Sequence, residues 1–514
     1  MFVRKKNNKS GIVSIQIIDK SKGSYHVLKT IGSSSDSLEI ESLYQKGKKW
    51  ISATLGERDI FTELQQEIEE RELAEYFLSN IENVLLNGAQ LILNPVFKSI
   101  GFDKIEDDIL KHLVVSRICQ PRSKVATVEY LKSHFDEDIE LYKIYRYLDK
   151  LHDKQKDIVQ QISVSHTRKI LGGKIGLVFY DVTTLYFETD FGDELRKPGF
   201  SKDGKHSQPQ IVLGLLISTG GYPLAYSIHQ GNKYEGHTML PVVEDFIKKF
   251  ELKEFVVVAD SGLMNNENIE LLESKNYKYI IGARIKNENK AITKWITSLE
   301  KTDGSFYEYQ KKENCRLIVG YSASRAKKDK YNREKGIKRL ENEYQSGTIT
   351  KDKVNKRGYN KFLSISDDIK VAINYQKINQ DEQWDGWKGY ITNTNLPVKT
   401  VYEQYSDLWQ VERAFRISKG TLELRPMFHF TKKRIEAHVC MCFVAYKVYK
   451  ELERILKLSE IGLSVDKVLE IAKTVVTLRI KLPNSRNTIN KTMLITDKQK
   501  SIAKLYDKKF WDNF

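Results

Sequence analysis

Hydrophobic and polar positions change period several times along the chain, and each change marks an element. Residues 11 to 31, GIVSIQIIDKSKGSYHVLKTI, alternate with period 2 around Lys20 to Gly23, which predicts two strands joined by a turn. From about Thr62 to Leu171 the spacing becomes helical. A Glu-rich amphipathic stretch comes first, then EDDILKHLVVSRICQ stopped by Pro121, then SKVATVEYLKSHF, then IELYKIYRYLDKLHDKQKDIVQQI.

From Lys174 period 2 returns. KIGLVFYDVTTLYFE reads as a strand ending in an acid, and PQIVLGLLISTGGYPLAYSIHQG as two strands joined at Gly220-Gly221. TMLPVVEDFIKKF is a helix with an apolar stripe. EFVVVADSG is a wholly apolar run, as a strand buried on both faces requires, and NNENIELLESK and YKYIIGAR follow as helix and strand. The order β-β-β-α-β-α-β predicts an α/β, ribonuclease H-like mixed sheet with flanking helices, its first strand central and its fourth beside it in parallel.

Residues 285 to about 370 interrupt this rhythm. The basic tracts SASRAKKDKYNREKGIKR and KDKVNKRGYNK alternate with strand-like CRLIVGYS and KFLSIS, which predicts an insertion with a long charged helix or helical hairpin. Sheet patterning resumes in KVAINYQ and KGYITNT. A helix is then expected from Val398 to Lys419, followed by helices near Ile435 to Leu456 and Ser464 to Leu478. The expected division is an N-terminal β-hairpin element at 1–60, a helical domain at 61–172, a core in two parts at 173–284 and 371–456 around the insertion at 285–370, and a C-terminal helical region at 457–514.

Charge changes the picture. Of 514 residues 84 are Lys or Arg against 68 Asp or Glu, a formal charge of +16, which favours a polyanionic partner through counterion release. Nucleic acid is the first candidate. The helical region ahead of the mixed sheet then reads as a DNA-end reader, with Arg117, Arg122, Lys124, Lys143 and Arg146 as its phosphate candidates. Hydrophobic residues at 40% and aromatics at 11% exclude wholesale disorder. Cys119, Cys315, Cys440 and Cys442 are too few and scattered for a disulfide framework, which fits a reducing compartment. No apolar stretch approaches the roughly 18 residues of a membrane span, and MFVRKKNNKSG leads into strand residues without a signal-peptide core, so a cytoplasmic, membrane-free protein is expected.

The candidate chemistry lies in three acids. Asp181 falls near the end of the first core strand and Asp260 at the end of the fourth, its predicted neighbour, so the two carboxylates converge. Cleaving a phosphodiester calls for hard oxygen ligands that leave Mg²⁺ with open positions. Two such ions about 4 Å apart activate the attacking oxygen and neutralise the leaving one. Glu412 supplies a third carboxylate from a helix whose Tyr405, Glu412, Arg416 and Lys419 are spaced for one face. Arg416 and Lys419 are placed to grip phosphate oxygens. Set against this, Asp181 reads alone as a turn or cap residue, and Glu412 with Arg416 as a surface i, i+4 ion pair.

The segments VFYDVTTLYFE, VVADSGLMN and YSDLWQVERAFRISKGTLELRPMFH resemble the three acidic motifs of bacterial insertion-sequence DDE transposases, the group with a Tyr-x2-Arg-x3-Glu-x6-Lys signature. The likeness covers about residues 174 to 450. The signature here reads Tyr405, Leu408, Glu412, Lys419, so Leu408 departs from the pattern's Arg, with Arg413 or Arg416 as the substitute. The resemblance implies that Asp181, Asp260 and Glu412 ligate two Mg²⁺ ions, with Mn²⁺ as an alternative. It also implies that Tyr405 and Lys419 contact phosphates of the element's ends, and that the insertion clamps the end and holds a flipped base, for which Trp295 is a conceivable stacker. Gly231, Asn232 and Glu235 in HQGNKYEGH resemble a loop near the site of the same family, and read alone as a turn between strand and helix. DNA, as terminal inverted repeats and target, is the implied partner, with a homodimer joining two ends by cut-and-paste transposition. Two rivals stand beside this reading: an inactive descendant that only binds DNA, and a phosphatase using Asp181 as nucleophile. The second lacks another Asp two residues on and gives the basic surplus no role.

Overall fold

The computed structural model describes the chain except residues 9–10, 56–59, 202–203, 253, 264–265, 351–352, 356–357, 366–370, 483–484, 486, 508–509 and 512–514. Parts of the second basic tract, of VVADSGLMN and of the C-terminal tail thus lie outside the described residues. The chain divides into two compact units, residues 1–84 with 478–491, and residues 85–477 with 492–514.

In the first unit, Phe2–Asn7 (β1), Val13–Asp19 (β2) and His26–Ser34 (β3) form an antiparallel sheet in that order. The predicted hairpin is β2-β3, and β1 joins its free edge. Helix Ser37–Leu55 packs on this sheet, whose central strand β2 buries Ile15, Ile17 and Ile18. The Glu-rich stretch forms helix Ile60–Ser79, followed by strand Ile81–Leu85 (β4).

The second unit is built on an eight-stranded mixed sheet. Its strands are Leu177–Tyr186 (β5), Gln210–Ser218 (β6), Pro223–Gln230 (β7), Val256–Ala259 (β8), Lys278–Ala283 (β9), Phe306–Lys312 (β10), Cys315–Tyr321 (β11) and, after a small hairpin of Leu363–Ile365 (β12) and Val371–Ile373 (β13), Trp387–Thr392 (β14). They lie in the order β10-β11-β14-β9-β8-β5-β6-β7. β8 runs parallel to both β5 and β9, and the other pairs are antiparallel. The sheet is covered on both sides, so alternate residues enter different cores. Phe179 and Val258 face one core; Val178, Tyr180, Val257 and Ala259 face the other.

The region expected as an insertion is only partly one. β10 and β11 extend the main sheet beyond β14, because CRLIVGYS is apolar on both faces: Ile318 enters one core while Leu317 and Val319 enter another. The first basic tract is helix Ala323–Gln345. The strand in KVAINYQ pairs only with β12 and does not rejoin the main sheet.

The helices predicted from EDDILKHLVVSRICQ and SKVATVEYLKSHF are Asp108–Cys119 and Lys124–Phe135, capped by the side chains of Asp107 and Ser123. They do not stand apart as a separate helical domain. With Gly88–Ile100, Leu141–Lys150 and Lys156–Ile170 they surround the long helix Lys432–Leu458 and share one core with the sheet. That helix dictates the arrangement, because every residue from Ala437 to Leu452 is buried and a helix buried all round needs neighbours on every side. The helix expected to reach Leu478 stops at Ala472. The β-branched VTLRIK becomes strand Val476–Lys481 (β15), lying between Thr488–Met493 (β16) and β4.

Candidate active site

The parallel ladder between β5 and β8 ends at the pair Tyr180 and Ala259. Asp181 and Asp260 are the next residue on each strand. Tyr180 and Ala259 face one core, so alternation turns both carboxylates toward the opposite side of the sheet, where Val401, Tyr405, Leu408, Val411 and Phe415 pack. Asp181 is not near the end of its strand as expected. β5 continues to Tyr186 in full register with β6, and what ends at Asp181 is its pairing with β8. One Asp181 oxygen accepts the backbone N–H of Val182 at 2.8 Å.

The single helix expected from Val398 to Lys419 is broken. It runs as Val398–Ser406, a turn at Asp407 and Leu408, Trp409–Arg416, and a π-helical turn at Ile417–Thr421. The first segment packs against β8 and β9 and the second against β5 and β6, so together they cover the strands that bear the two acids. π-helical turns occur often at functional sites.

Tyr405, at the end of the first segment, is only 4% exposed and donates its hydroxyl proton to Oδ1 of Asp260 at 2.9 Å. Burial first, then the Asp260 carboxylate, push its phenol well above the ordinary range, so the proton stays on Tyr405. Gly282 on β9 makes this contact possible, since a Cβ there would meet the Tyr405 hydroxyl at 2.5 Å. Glu412 is exposed on the second segment and forms no ion pair with Arg416, four residues on. The charges of Asp260 and Glu412 act on the same two groups, Tyr405 and Lys388.

Among the described residues no three His, Cys, Asp or Glu side chains stand close enough to hold one metal ion between them. The donor chemistry nonetheless suits Mg²⁺. All three candidates are carboxylates, and Mg²⁺ takes only one or two from a protein, completing its shell with water and phosphate.

Lys388, on β14, escaped sequence reasoning. Its ammonium lies 4.6 Å from the Tyr405 ring centroid, and burial, then Arg325, lower its pKa against the pull of Asp260 and Glu412. With Arg325, Tyr390, Tyr402 and Ser406 it lines a cleft of about 390 Å³. The signal was available in KGYITNT, where Lys388 alternates with the buried Tyr390 on an inner strand.

The other basic candidates separate by burial. Arg416 is exposed and Lys419 half-buried. Arg413 turns the other way, into an ion pair with Glu453, which Lys450 shares. Leu408 occupies a core position, so the pattern's Arg has no counterpart there. Arg117 and Lys124 are buried, the former donating to the Arg122 carbonyl at 3.0 Å and the latter lying 3.6 Å from the Met441 sulfur, while Arg122, Lys143 and Arg146 are exposed. Trp295 packs against Tyr309 at 5.1 Å beside the Leu317 and Val319 core. Gly231 lies in close backbone approach, where a Cβ would meet the carbonyls of Gln210 and Lys197 at 2.1 Å.

The family described as "Transposase DDE domain" matches residues 172–447. A solved piggyBac transposase, in a synaptic complex with hairpin DNA, is similar over 74% of this chain and 79% of that chain, at 10% identity and a TM-score of 0.38, a likeness too remote to carry an argument. No curated protein matches.

Proposed function

The chain belongs to the transposase DDE domain family, and from that premise we propose that Asp181, Asp260 and Glu412 form its catalytic centre for cutting and rejoining DNA phosphodiesters. The observation that carries this reading is the register of β5 and β8. It sets Asp181 and Asp260 side by side, facing the two helical segments that bear Tyr405 and Glu412.

On this reading the sheet is the ribonuclease H-like core of a mobile-element transposase of bacterial insertion-sequence type. Asp181, Asp260 and Glu412 would hold two Mg²⁺ ions, for which Mn²⁺ substitutes. Bound metal supplies Lewis-acid activation of the attacking oxygen and charge neutralisation at the leaving one. The chain's own residues do the rest. Tyr405 donates to Oδ1 of Asp260 and so fixes the carboxylate's rotation while the other oxygen stays directed elsewhere. Lys388 and Arg325 place positive charge along the adjoining cleft, where a scissile phosphate gathers negative charge. Arg416 and Lys419 grip phosphates flanking the cut, and Arg413 serves the fold through Glu453. The chemistry is hydrolysis of one strand at the element's end, then attack by the freed 3′ hydroxyl on another phosphodiester. Joining two ends calls for two copies of the chain.

The test is cleavage of a labelled duplex carrying the element's end, with Mg²⁺, by the wild type and by Asp181→Asn, Asp260→Asn and Glu412→Gln. Each variant is expected to bind the duplex and leave it uncut. Cleavage surviving Asp181→Asn refutes the site. Binding without cleavage by the wild type indicates an inactive descendant, and turnover of a small phosphomonoester without DNA indicates the phosphatase.

A further inference from the structure

The loop between the π-helical turn and the long helix carries an inverted pattern. Met427 is buried and His429 half-buried, yet Phe428 and Phe430 between and beyond them are 66% and 61% exposed. A second loop, after β5, leaves Phe191 and Phe200 at 81% and 70%. Large apolar rings held in water on neighbouring loop positions mark a contact surface.

Arg196 ties the two loops together. Its guanidinium lies 5.4 Å from the Phe187 ring and 5.7 Å from the Phe430 ring, oriented by Asp193 at 2.8 Å, and the residue is only 8% exposed. One of its terminal nitrogens, Nη1, is buried with no hydrogen-bond partner. Next to this, Arg425 and Lys205 lie 5.6 and 5.8 Å from the Tyr186 ring. Cations and rings therefore alternate at the far end of β5. Tyr186 is five residues beyond Asp181, roughly 16 Å along the strand.

We propose that this surface receives unpaired nucleotides of a DNA strand, with bases stacking on Phe428 and Phe430 and the backbone following Lys205 and Arg425, while Arg196 holds the Phe430 ring in place from beneath. The inference rests on the DNA reading above and deepens it. An apolar protein partner would strip water from the exposed Lys205 without supplying an anion. A single strand offers flat base faces for the rings and a phosphate for each step between them. It also separates the stacking element from the insertion and Trp295, whose ring is taken by Tyr309.

The test compares the full-length wild type with a Phe428→Ala/Phe430→Ala variant by fluorescence anisotropy, on labelled oligo(dT) and on a blunt duplex. A second readout is the quenching of 2-aminopurine placed in a single-stranded extension of the duplex. The variant is expected to lose roughly tenfold or more in affinity for oligo(dT), and to lose the quenching, with blunt-duplex affinity unchanged. Phe430→Trp is expected to retain both. Unchanged oligo(dT) affinity and quenching in the double variant overturn the proposal, as does an equal loss on both DNAs. If the wild type cuts duplex ends but shows no quenching, this inference alone falls; if it binds no DNA of any form, the parent reading falls with it.

Discussion

The hydroxyl of Tyr405 donates to Asp260 across 2.9 Å, although the two residues are 145 positions apart in the chain. A hydrogen bond to a charged group is worth about 1.5–3 kcal/mol, and here it holds a carboxylate in one rotation. Tyr405→Phe is therefore expected to lower the cleavage rate roughly tenfold or more, with DNA affinity unchanged. Single-turnover kinetics against a binding isotherm check this; a rate equal to wild type would show that Asp260 needs no such support.

Gly282 makes room for the same hydroxyl. Gly282→Ala is expected to push Tyr405 off Asp260 and reproduce the rate loss of Tyr405→Phe. Phe removes the oxygen at 2.5 Å and leaves the ring carbon and the Ser261 nitrogen at 3.2 Å, so the double variant should lose much less than the product of the two single losses. Losses that simply add would separate the glycine from the tyrosine.

Arg413 and Arg416 sit three residues apart and are expected to behave oppositely. Arg413→Ala leaves Glu453 with Lys450 as its remaining partner, and should cost about 2 kcal/mol in urea unfolding while salt-dependent DNA binding is kept. Arg416→Ala should leave stability unchanged, weaken DNA binding and reduce the slope of log affinity against log salt by about 1. An altered salt slope in the Arg413 variant would contradict this division.

Lys447 is fully buried against the Ser163 carbonyl and the Thr167 hydroxyl, and burial lowers its pKa to about 7. Between about pH 7 and its ordinary value of 10.5 the unfolded chain holds a proton here that the folded chain has released. This group's contribution to stability therefore rises with pH across that window, by at most about 1.4 kcal/mol per unit, and its penalty is greatest below it. Lys447→Met should gain most over wild type below pH 7, with the gap narrowing through pH 9 and closing only near 10.5. Urea unfolding across that range measures it, and a gap independent of pH would mean that Lys447 stays charged in the folded chain.

Much of this architecture is legible in the residues themselves. VFYDVTT and VVADSG announce two buried strands, and strand alternation places an acid just beyond the apolar run of each. The Val398–Lys419 stretch is less transparent. Its helical spacing is continuous, yet the helix is interrupted at Asp407 and Leu408, where Leu408 is buried in the core. The packing of the helices between Gly88 and Ile170 is hidden for a similar reason. Apolar stripes on the helices between Gly88 and Ile170 reveal that each has a buried face, without revealing that the partner is a helix more than 260 residues downstream.

The sequence by itself determined most of the succession of strands and helices, the basic surplus and the choice of three candidate acids, because periodicity and charge are local properties of a chain. Tertiary structure alone decided that Asp181 and Asp260 share one sheet face, that Tyr405 meets Asp260, that Lys388 joins them, and that Arg413 belongs to Glu453. Those pairings depend on strand register and on which faces pack together. Both are fixed only when distant segments bury their apolar sides against one another.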